Sequence, residues 1–411
     1  MSFELKNKKV TIIGAARSGI AAAEAVLRLG GIAKISDSGA VEPLSGVIIE
    51  AGGHTRAFIQ DSDYVVISPG VRLDAMPVGW ARERGIEVMG EVEFAFRLCP
   101  CPIVAVTGSN GKTTTATVIA EIIKRAGRGV CLCGNIGSPL SKHVLDLKPT
   151  DTAVLEISSF QLESTIHFKP HVAVWTNFSQ NHLDRHKDIE EYFQAKRRIF
   201  ANQDQGDFAV LNFQEQEHKK FEKQLKAQVL FFNTPDKPAG VENPNYQAAM
   251  QTAKALGIAE DICLKVFSEF KGVEHRLEFV RRLDGVDYIN DSKSTTLEAS
   301  RWALQRADQP VIMICGGYDK KLDYAPIRPL VAQKVKHMIA IGQISEIMRS
   351  TFKDVVTVDV CASLEEAVKV ARGKAKPGER VLLSPMTSSF DMFEDYEHRG
   401  RCFKEIVSNL K

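Results

Sequence analysis

The 411-residue chain has little of what marks a membrane-spanning, secreted or nucleic-acid-binding protein. Nowhere do about 18 apolar residues run together, and residues 1–10 carry three lysines but no apolar core; neither a spanning helix nor a secretory leader is expected. Charge of one sign is almost absent, since 53 Lys plus Arg meet 51 Asp plus Glu for a formal +2. That balance argues against nucleic acid as the principal partner, which calls for a basic surface. Cysteine is sparse at eight, and its only close pairs are Cys99/Cys101 and Cys131/Cys133. A Cys-x-Cys spacing is neither a zinc signature nor a disulfide framework for a chain of this length, so reduced thiols in a cytoplasmic protein are expected. What remains is an ordinary folded composition, 44% apolar and 25% charged. The length exceeds one hydrophobic core and implies two or three domains.

Residues 8–13 form a β-branched run that stops at Gly14, an alanine-rich helical stretch follows over 18–29, and a second strand at 33–36 ends on Asp37. Strand, glycine turn, helix, and strand with a terminal acid is how a Rossmann-like nucleotide site begins. The turn Gly14-Ala-Ala-Arg-Ser-Gly19 lacks the middle glycine of the dinucleotide fingerprint, so a plain packing turn and a nucleotide site both remain open. Further strands are expected at 64–70 and 85–89, and Pro100 and Pro102 punctuate the chain before the next one.

That next strand, 103–106, runs into Thr107-Gly-Ser-Asn-Gly-Lys-Thr113 and a helix over 114–126. Glycines free backbone N–H groups to cradle phosphate, Lys112 can reach terminal phosphates, and the Thr113 hydroxyl can bind Mg²⁺. The loop is shorter at its start than the full motif, with Val106 where a glycine usually stands. In the strand 152–157, Glu156 interrupts an apolar run, which is costly unless a cation or donors compensate it. A shared Mg²⁺ with Thr113 and a water-facing edge strand are both consistent with that. After the strand 172–176, His182 and His186 lie four apart without a third zinc ligand. On the next helix, opened by Asp188 and Glu191, residues Ile189, Phe193, Lys196 and Phe200 fall on one stripe, so Lys196 stands on an apolar face. A desolvated lysine has a neutral amine able to take up CO₂, whereas a snorkelling stem keeps its ammonium wet.

The motifs T-G-S-N-G-K-T (107–113), G-N-I-G (134–137), L-E-I-S-S-F-Q-L-E (155–163), N-H-L-D-R-H (181–186), A-K-R-R-I-F (195–200), E-H-R (274–276), N-D-S-K-S-T (290–295) and L-S-P-M-T-S-S-F-D (383–391) follow one another along the whole chain. In that order they resemble the Mur ligases of peptidoglycan synthesis, and the N-D-S-K and S-F-D segments are most similar to members that attach D-glutamate.

The resemblance implies an α/β protein of three domains: a Rossmann-like UDP-binding domain over 1–92, a central P-loop-type ATPase domain with a mainly parallel sheet over 93–272, and a Rossmann-like amino-acid-binding domain over 273–411. It implies ATP-driven joining of D-glutamate to UDP-N-acetylmuramoyl-L-alanine through an acyl phosphate. Catalytic roles fall to Lys112, Glu156, His182 and Lys196, with Thr113, Glu156, His182 and Lys196, as a CO₂-derived carbamate, around two Mg²⁺ ions. ATP would meet Gly108, Ser109, Asn110, Gly111, Lys112, Thr113, Thr114, Asn245, Arg276, Asp291 and Lys293. The UDP substrate would meet Ala15, Ala16, Asp37, Ser38, Gly70 and Asn135, and D-glutamate would meet Thr295, Lys320, Ser389, Phe390 and Tyr396. A monomer in the cytoplasm is implied, with no nucleic acid or membrane as partner. One departure concerns adenine: where such proteins have two asparagines three apart, this chain has Asn245 and Ala248. The competing readings are a Mur ligase for another amino acid, a folylpolyglutamate synthetase-like ligase, a nicotinamide-dependent oxidoreductase using the first domain, and a nucleotide-gated binding protein without catalysis.

Overall fold

The computed structural model describes residues 3–179, 185–236 and 240–411. The chain forms two compact units, Met1–Phe270 and Lys271–Lys411. The first unit holds two sheets. One contains β1 (Lys9–Ile13), β2 (Ile32–Asp37), β3 (Ile48–Ala51), β4 (Tyr64–Ile67) and β5 (Glu87–Gly90) in the order β3-β2-β1-β4-β5. The other contains β6 (Ile103–Thr107), β7 (Val130–Gly134), β8 (Thr152–Glu156), β9 (Val172–Trp175), β10 (Phe208–Asn212) and β11 (Gln228–Phe232) in the order β11-β10-β9-β6-β8-β7. Every pairing in both is parallel.

Parallel strands covered on both faces need apolar side chains at successive positions, which these have. On β6, Ile103 and Ala105 enter the core on one side of the sheet, and Val104 and Val106 the core on the other. The alanines of the helix Arg17–Arg28, among them Ala21, Ala22, Ala23 and Ala25, are buried, small enough to seat that helix on the first sheet. Two acids of the helix Glu91–Leu98 tie the sheets together. Glu93 accepts from the backbone N–H groups of Ile166, His167 and Phe168 at 2.8–3.0 Å, and Glu91 from the backbone and hydroxyl of Ser141. Donors on Glu93 offset the cost of burying its carboxylate, whereas burial pushes the Glu91 carboxyl up despite the Ser141 donors.

The second unit carries β12 (Glu278–Leu283), β13 (Val286–Asn290), β14 (Val311–Gly316), β15 (Val335–Ile341), β16 (Thr357–Val360) and β17 (Arg380–Leu383) in the order β12-β13-β17-β14-β15-β16. Only β12 and β13 pair antiparallel. Among the described residues no helix is long and apolar enough to cross a membrane.

Candidate active site

In the second sheet the chain leaves β6 toward β8 and β7 on one side and β9 to β11 on the other. This reversal opens a crevice at the carboxyl end of β6, the place where doubly wound sheets hold ligands. The loop 108–111 lies there and leads into the helix Lys112–Arg125. Gly108 and Gly111 have φ of 149° and 80°. A side chain at either would strike a neighbour, the Thr176 hydroxyl for Gly108 and the Asn245 amide for Gly111, so only glycine lets the loop pass this close. The loop is pinned from β9: Thr176 Oγ1 and Asn177 Nδ2 donate to the carbonyl of Asn110 at 2.6 and 3.0 Å, and Asn110 N donates to Asn177 Oδ1 at 2.8 Å. Ser109 is buried and donates to Ser179 O at 2.9 Å. Lys112 Nζ folds back onto the carbonyls of Gly108 and Ser109 at 2.9 and 3.1 Å. Thr114 follows in the first turn of the helix.

Glu156 closes β8, which lies between β6 and β7, so the water-facing edge strand is excluded. It is 2% exposed, and its two oxygens accept from Thr113 Oγ1 at 2.7 Å and Asn135 Nδ2 at 2.9 Å. Lys196 is 1% exposed, which excludes the snorkelling stem. Its Nζ donates to Gly108 O at 3.0 Å and Thr107 Oγ1 at 3.3 Å, and lies 4.8 Å from the centre of the Tyr192 ring. Burial, and then the charge of Lys112, hold the Lys196 amine well below the usual lysine range, with Glu156 opposing. The apolar stripe is otherwise as expected at Phe193 and Phe200, but Ile189, in the first turn of the helix, is exposed. His186 is buried, with Nε2 2.9 Å from Ser159 Oγ. His182 lies outside the described residues.

Lys112, Thr113, Glu156, Asn135 and Lys196 are thus brought to one crevice. Sequence reasoning missed Thr107, Thr176, Asn177 and Tyr192 there. Tyr192 had a signal, since it stands four residues before Lys196 and shares its helical face. Asn245 Oδ1 accepts from Thr115 Oγ1, on the helix that follows the loop, at 3.3 Å, whereas Ala248, one turn on, is fully buried in the core.

On the first sheet, Asp37 takes the N–H groups of Ala15 and Gly39 at 2.6 and 2.7 Å, which folds the turn after β1 against the end of β2. Ala16, Ser38 and Gly70 are exposed. Arg185 donates to the carbonyls of Gly70 and Val71, joining this rim to the second sheet.

In the second unit the strand order reverses between β14 and β17, and Lys320, Ser389 and Thr295 belong to segments at that end. Lys320 Nζ donates to Thr295 O at 3.1 Å. Ser389 is buried and Phe390 exposed. Lys293 lies over the Tyr396 ring and Arg276 over that of Trp302. Asp291 is 2% exposed and turned inward, accepting from Leu277 N at 3.1 Å, Ser384 Oγ at 2.9 Å and Ser294 Oγ at 2.5 Å. Burial pushes its carboxyl up to about 6 despite these donors.

Residues 106–275 match the family model of the Mur ligase middle domain, and residues 275–386 that of the Mur ligase glutamate ligase domain. The chain is 39% identical over 453 aligned residues to UDP-N-acetylmuramoylalanine--D-glutamate ligase of Pelotomaculum thermopropionicum, with 99% of each covered. It is 37% identical to the protein of the same name from Acidobacterium capsulatum, over 98% of this chain and 97% of that one. Among solved structures, the UDP-N-acetylmuramate-alanine ligase of Thermotoga maritima shares the fold with a TM-score of 0.61 at 18% identity, covering 98% of this chain and all of that one. The MurF ligase of the same organism, in complex with ADP, does so with a TM-score of 0.58 at 17% identity, over 99% of this chain and 97% of that one.

Proposed function

The chain belongs to the Mur ligase family, and from that premise we propose that it joins D-glutamate to UDP-N-acetylmuramoyl-L-alanine at the expense of ATP, in the cytoplasmic synthesis of peptidoglycan precursors. The observation that carries this reading is the grouping of Thr113, Glu156 and Lys196 around the loop 108–111, in a chain similar to D-glutamate ligases along its whole length.

The substrate carboxylate attacks the γ-phosphorus of ATP; a C–O–P linkage forms, ADP leaves, and an acyl phosphate results. The amine of D-glutamate then adds to the acyl carbon, the tetrahedral intermediate collapses, and inorganic phosphate departs with the amine proton lost to solvent. The chain's part is positioning and charge neutralisation. Backbone N–H groups of the loop and Lys112 hold the phosphates. Thr113 and Glu156 offer two hard oxygen donors in a buried pocket, which suits Mg²⁺; when bound there, the metal offsets negative charge on the transferred phosphoryl group. We assign to Lys196 a reaction with CO₂ in which the neutral amine forms an N–C bond and releases a proton. The resulting carbamate would offer an anionic oxygen to a second Mg²⁺, which His182 would help to hold.

Ala15, Ala16, Asp37, Ser38, Gly70 and Asn135 receive the UDP substrate. Gly108, Ser109, Asn110, Gly111, Lys112, Thr113, Thr114, Asn245, Arg276, Asp291 and Lys293 serve ATP. Thr295, Lys320, Ser389, Phe390 and Tyr396 receive D-glutamate. Residues 1–92, 93–272 and 273–411 divide the three ligands among them, in a chain that acts as a monomer.

The test is phosphate release from ATP with UDP-N-acetylmuramoyl-L-alanine and, in parallel, D-glutamate, L-alanine, L-lysine and diaminopimelate. Release confined to D-glutamate is expected. Release with another amino acid, or none with D-glutamate, overturns the assignment.

A further inference from the structure

Four of the eight cysteines stand as two Cys-x-Cys pairs on one side of the second sheet. Cys99 and Cys101 lie in the link between the helix Glu91–Leu98 and β6, and Cys131 and Cys133 lie on β7. All four thiols are free, and all four side chains pack against the same core. Cys99 Sγ is 3.6 Å from Cys101 Sγ and 3.5 Å from the Cys101 carbonyl. Pro100 between them has its φ locked by the ring, so few backbone rotations are left to separate the two sulfurs. Disulfide formation draws the sulfurs to about 2 Å, a movement of roughly 1.5 Å that side-chain rotation can supply.

The two members of the pair are not equivalent. Cys99 is half-buried and open to a small oxidant, while Cys101 is 8% exposed. The hydrogen bond from Cys101 lowers the Cys99 thiol, and the same bond together with burial raises Cys101. Thiolate character and exposure together make Cys99 the attacking sulfur. Cys131 and Cys133 interact in the same sense, and both are within electrostatic reach of Cys99.

We propose that Cys99 and Cys101 form a hydroperoxide-reactive dithiol that closes to an intrachain disulfide, a modification site separate from the ligase chemistry. The Cys99 thiolate attacks the peroxide O–O bond; an S–O bond forms, the O–O bond breaks, and the leaving oxyanion takes up a proton. Cys101 then attacks the sulfur of the Cys99 sulfenic acid, the S–S bond forms, and the hydroxyl leaves as water with the Cys101 proton. Two thiols lose two electrons, and the hydroperoxide is reduced to an alcohol, or to water when it is hydrogen peroxide.

The experiment treats the full chain with one equivalent of hydrogen peroxide, counts thiols under denaturing conditions and maps the tryptic peptide 98–112. Loss of two of the eight thiols, with that peptide lighter by two hydrogens and restored by dithiothreitol, is the expected result. In Cys101→Ser, dimedone is expected to label Cys99. Eight thiols surviving in the wild type, oxidation falling on Cys131 and Cys133, a disulfide between chains, or no dimedone adduct in the variant overturns the proposal. Peptide mapping of the wild type decides it alone if the variant does not fold.

Discussion

The hydroxyl of Thr113 donates to Glu156 Oε2 across 2.7 Å, while Asn135 occupies the other oxygen at 2.9 Å. The carboxylate is therefore oriented by the P-loop helix on one side and by the residue after β7 on the other. Thr113→Val removes the donor yet keeps the shape. It leaves a buried oxygen short of a hydrogen bond, at a cost of about 1–3 kcal/mol in stability. If Thr113 also meets the metal, the Mg²⁺ concentration for half-maximal rate rises by at least roughly tenfold, and Thr113→Ser restores it. A Thr113→Val enzyme that loses stability but keeps its Mg²⁺ dependence would mean that Thr113 only supports Glu156.

Lys196 sits at 1% exposure, its Nζ donating to Thr107 Oγ1 and the Gly108 carbonyl. Desolvation shifts Lys196 toward the neutral amine, the form that adds CO₂. Lys196→Ala should cut turnover by on the order of 10²-fold or more, and millimolar formate or acetate should return part of it by placing an oxygen anion in the vacated space. Rates in the wild type should also fall when bicarbonate is stripped from the buffer. Rescue by neither acid would leave Lys196 as an ordinary buried cation.

Much of this was legible in the chain, and the gaps have physical causes. Strands β1, β6, β8 and β9 announce themselves because burial on both faces demands unbroken apolar runs. The phosphate loop announces itself because glycine, lysine and threonine are required at fixed positions. The hairpin of β12 and β13 was not foreseen, although Asp284-Gly285 at its turn, with φ of 51° and 76°, is the strongest short-range hairpin dipeptide. Strand β12 is partly exposed and carries two arginines, so its apolar pattern is thin. The depth of Lys196 could not be read from periodicity, because a helical stripe gives direction but not what covers it. Likewise the resemblance places Asn135 at the UDP substrate, and only folding shows its amide against Glu156.

Asp291 gives a pH signature. Its folded carboxyl is raised to about 6 from 3.8, so between those values the unfolded chain has released a proton that the folded chain retains. Stability therefore falls as pH rises through that window and is flat above it. The shift corresponds to ~3 kcal/mol. Asp291→Asn should lack this slope, so denaturant midpoints of the two proteins diverge with increasing pH between about 4 and 6. Parallel curves across the window would show that the donors around Asp291 offset its burial in full.

The carboxyl end of β17 carries a buried cation. Arg399 is buried there, donating from Nε to Ser292 Oγ at 3.0 Å and from Nη2 to Ser292 O at 2.9 Å, and burial lowers its guanidinium to about 10. Lys320, exposed and fixed to the Thr295 carbonyl, adds a second positive group that a dianionic amino acid can reach. A hydrogen bond to a charged group contributes about 1.5–3 kcal/mol, which is roughly 10- to 150-fold in affinity. Lys320→Ala should therefore raise the KM for D-glutamate by that factor and leave the KM for ATP unchanged. Lys320→Arg should recover only part of it, because a planar fork replaces a compact ammonium. An equal rise in both KM values would point to a disturbed fold of the segment, and circular dichroism together with thermal melting separates that case from loss of a substrate contact.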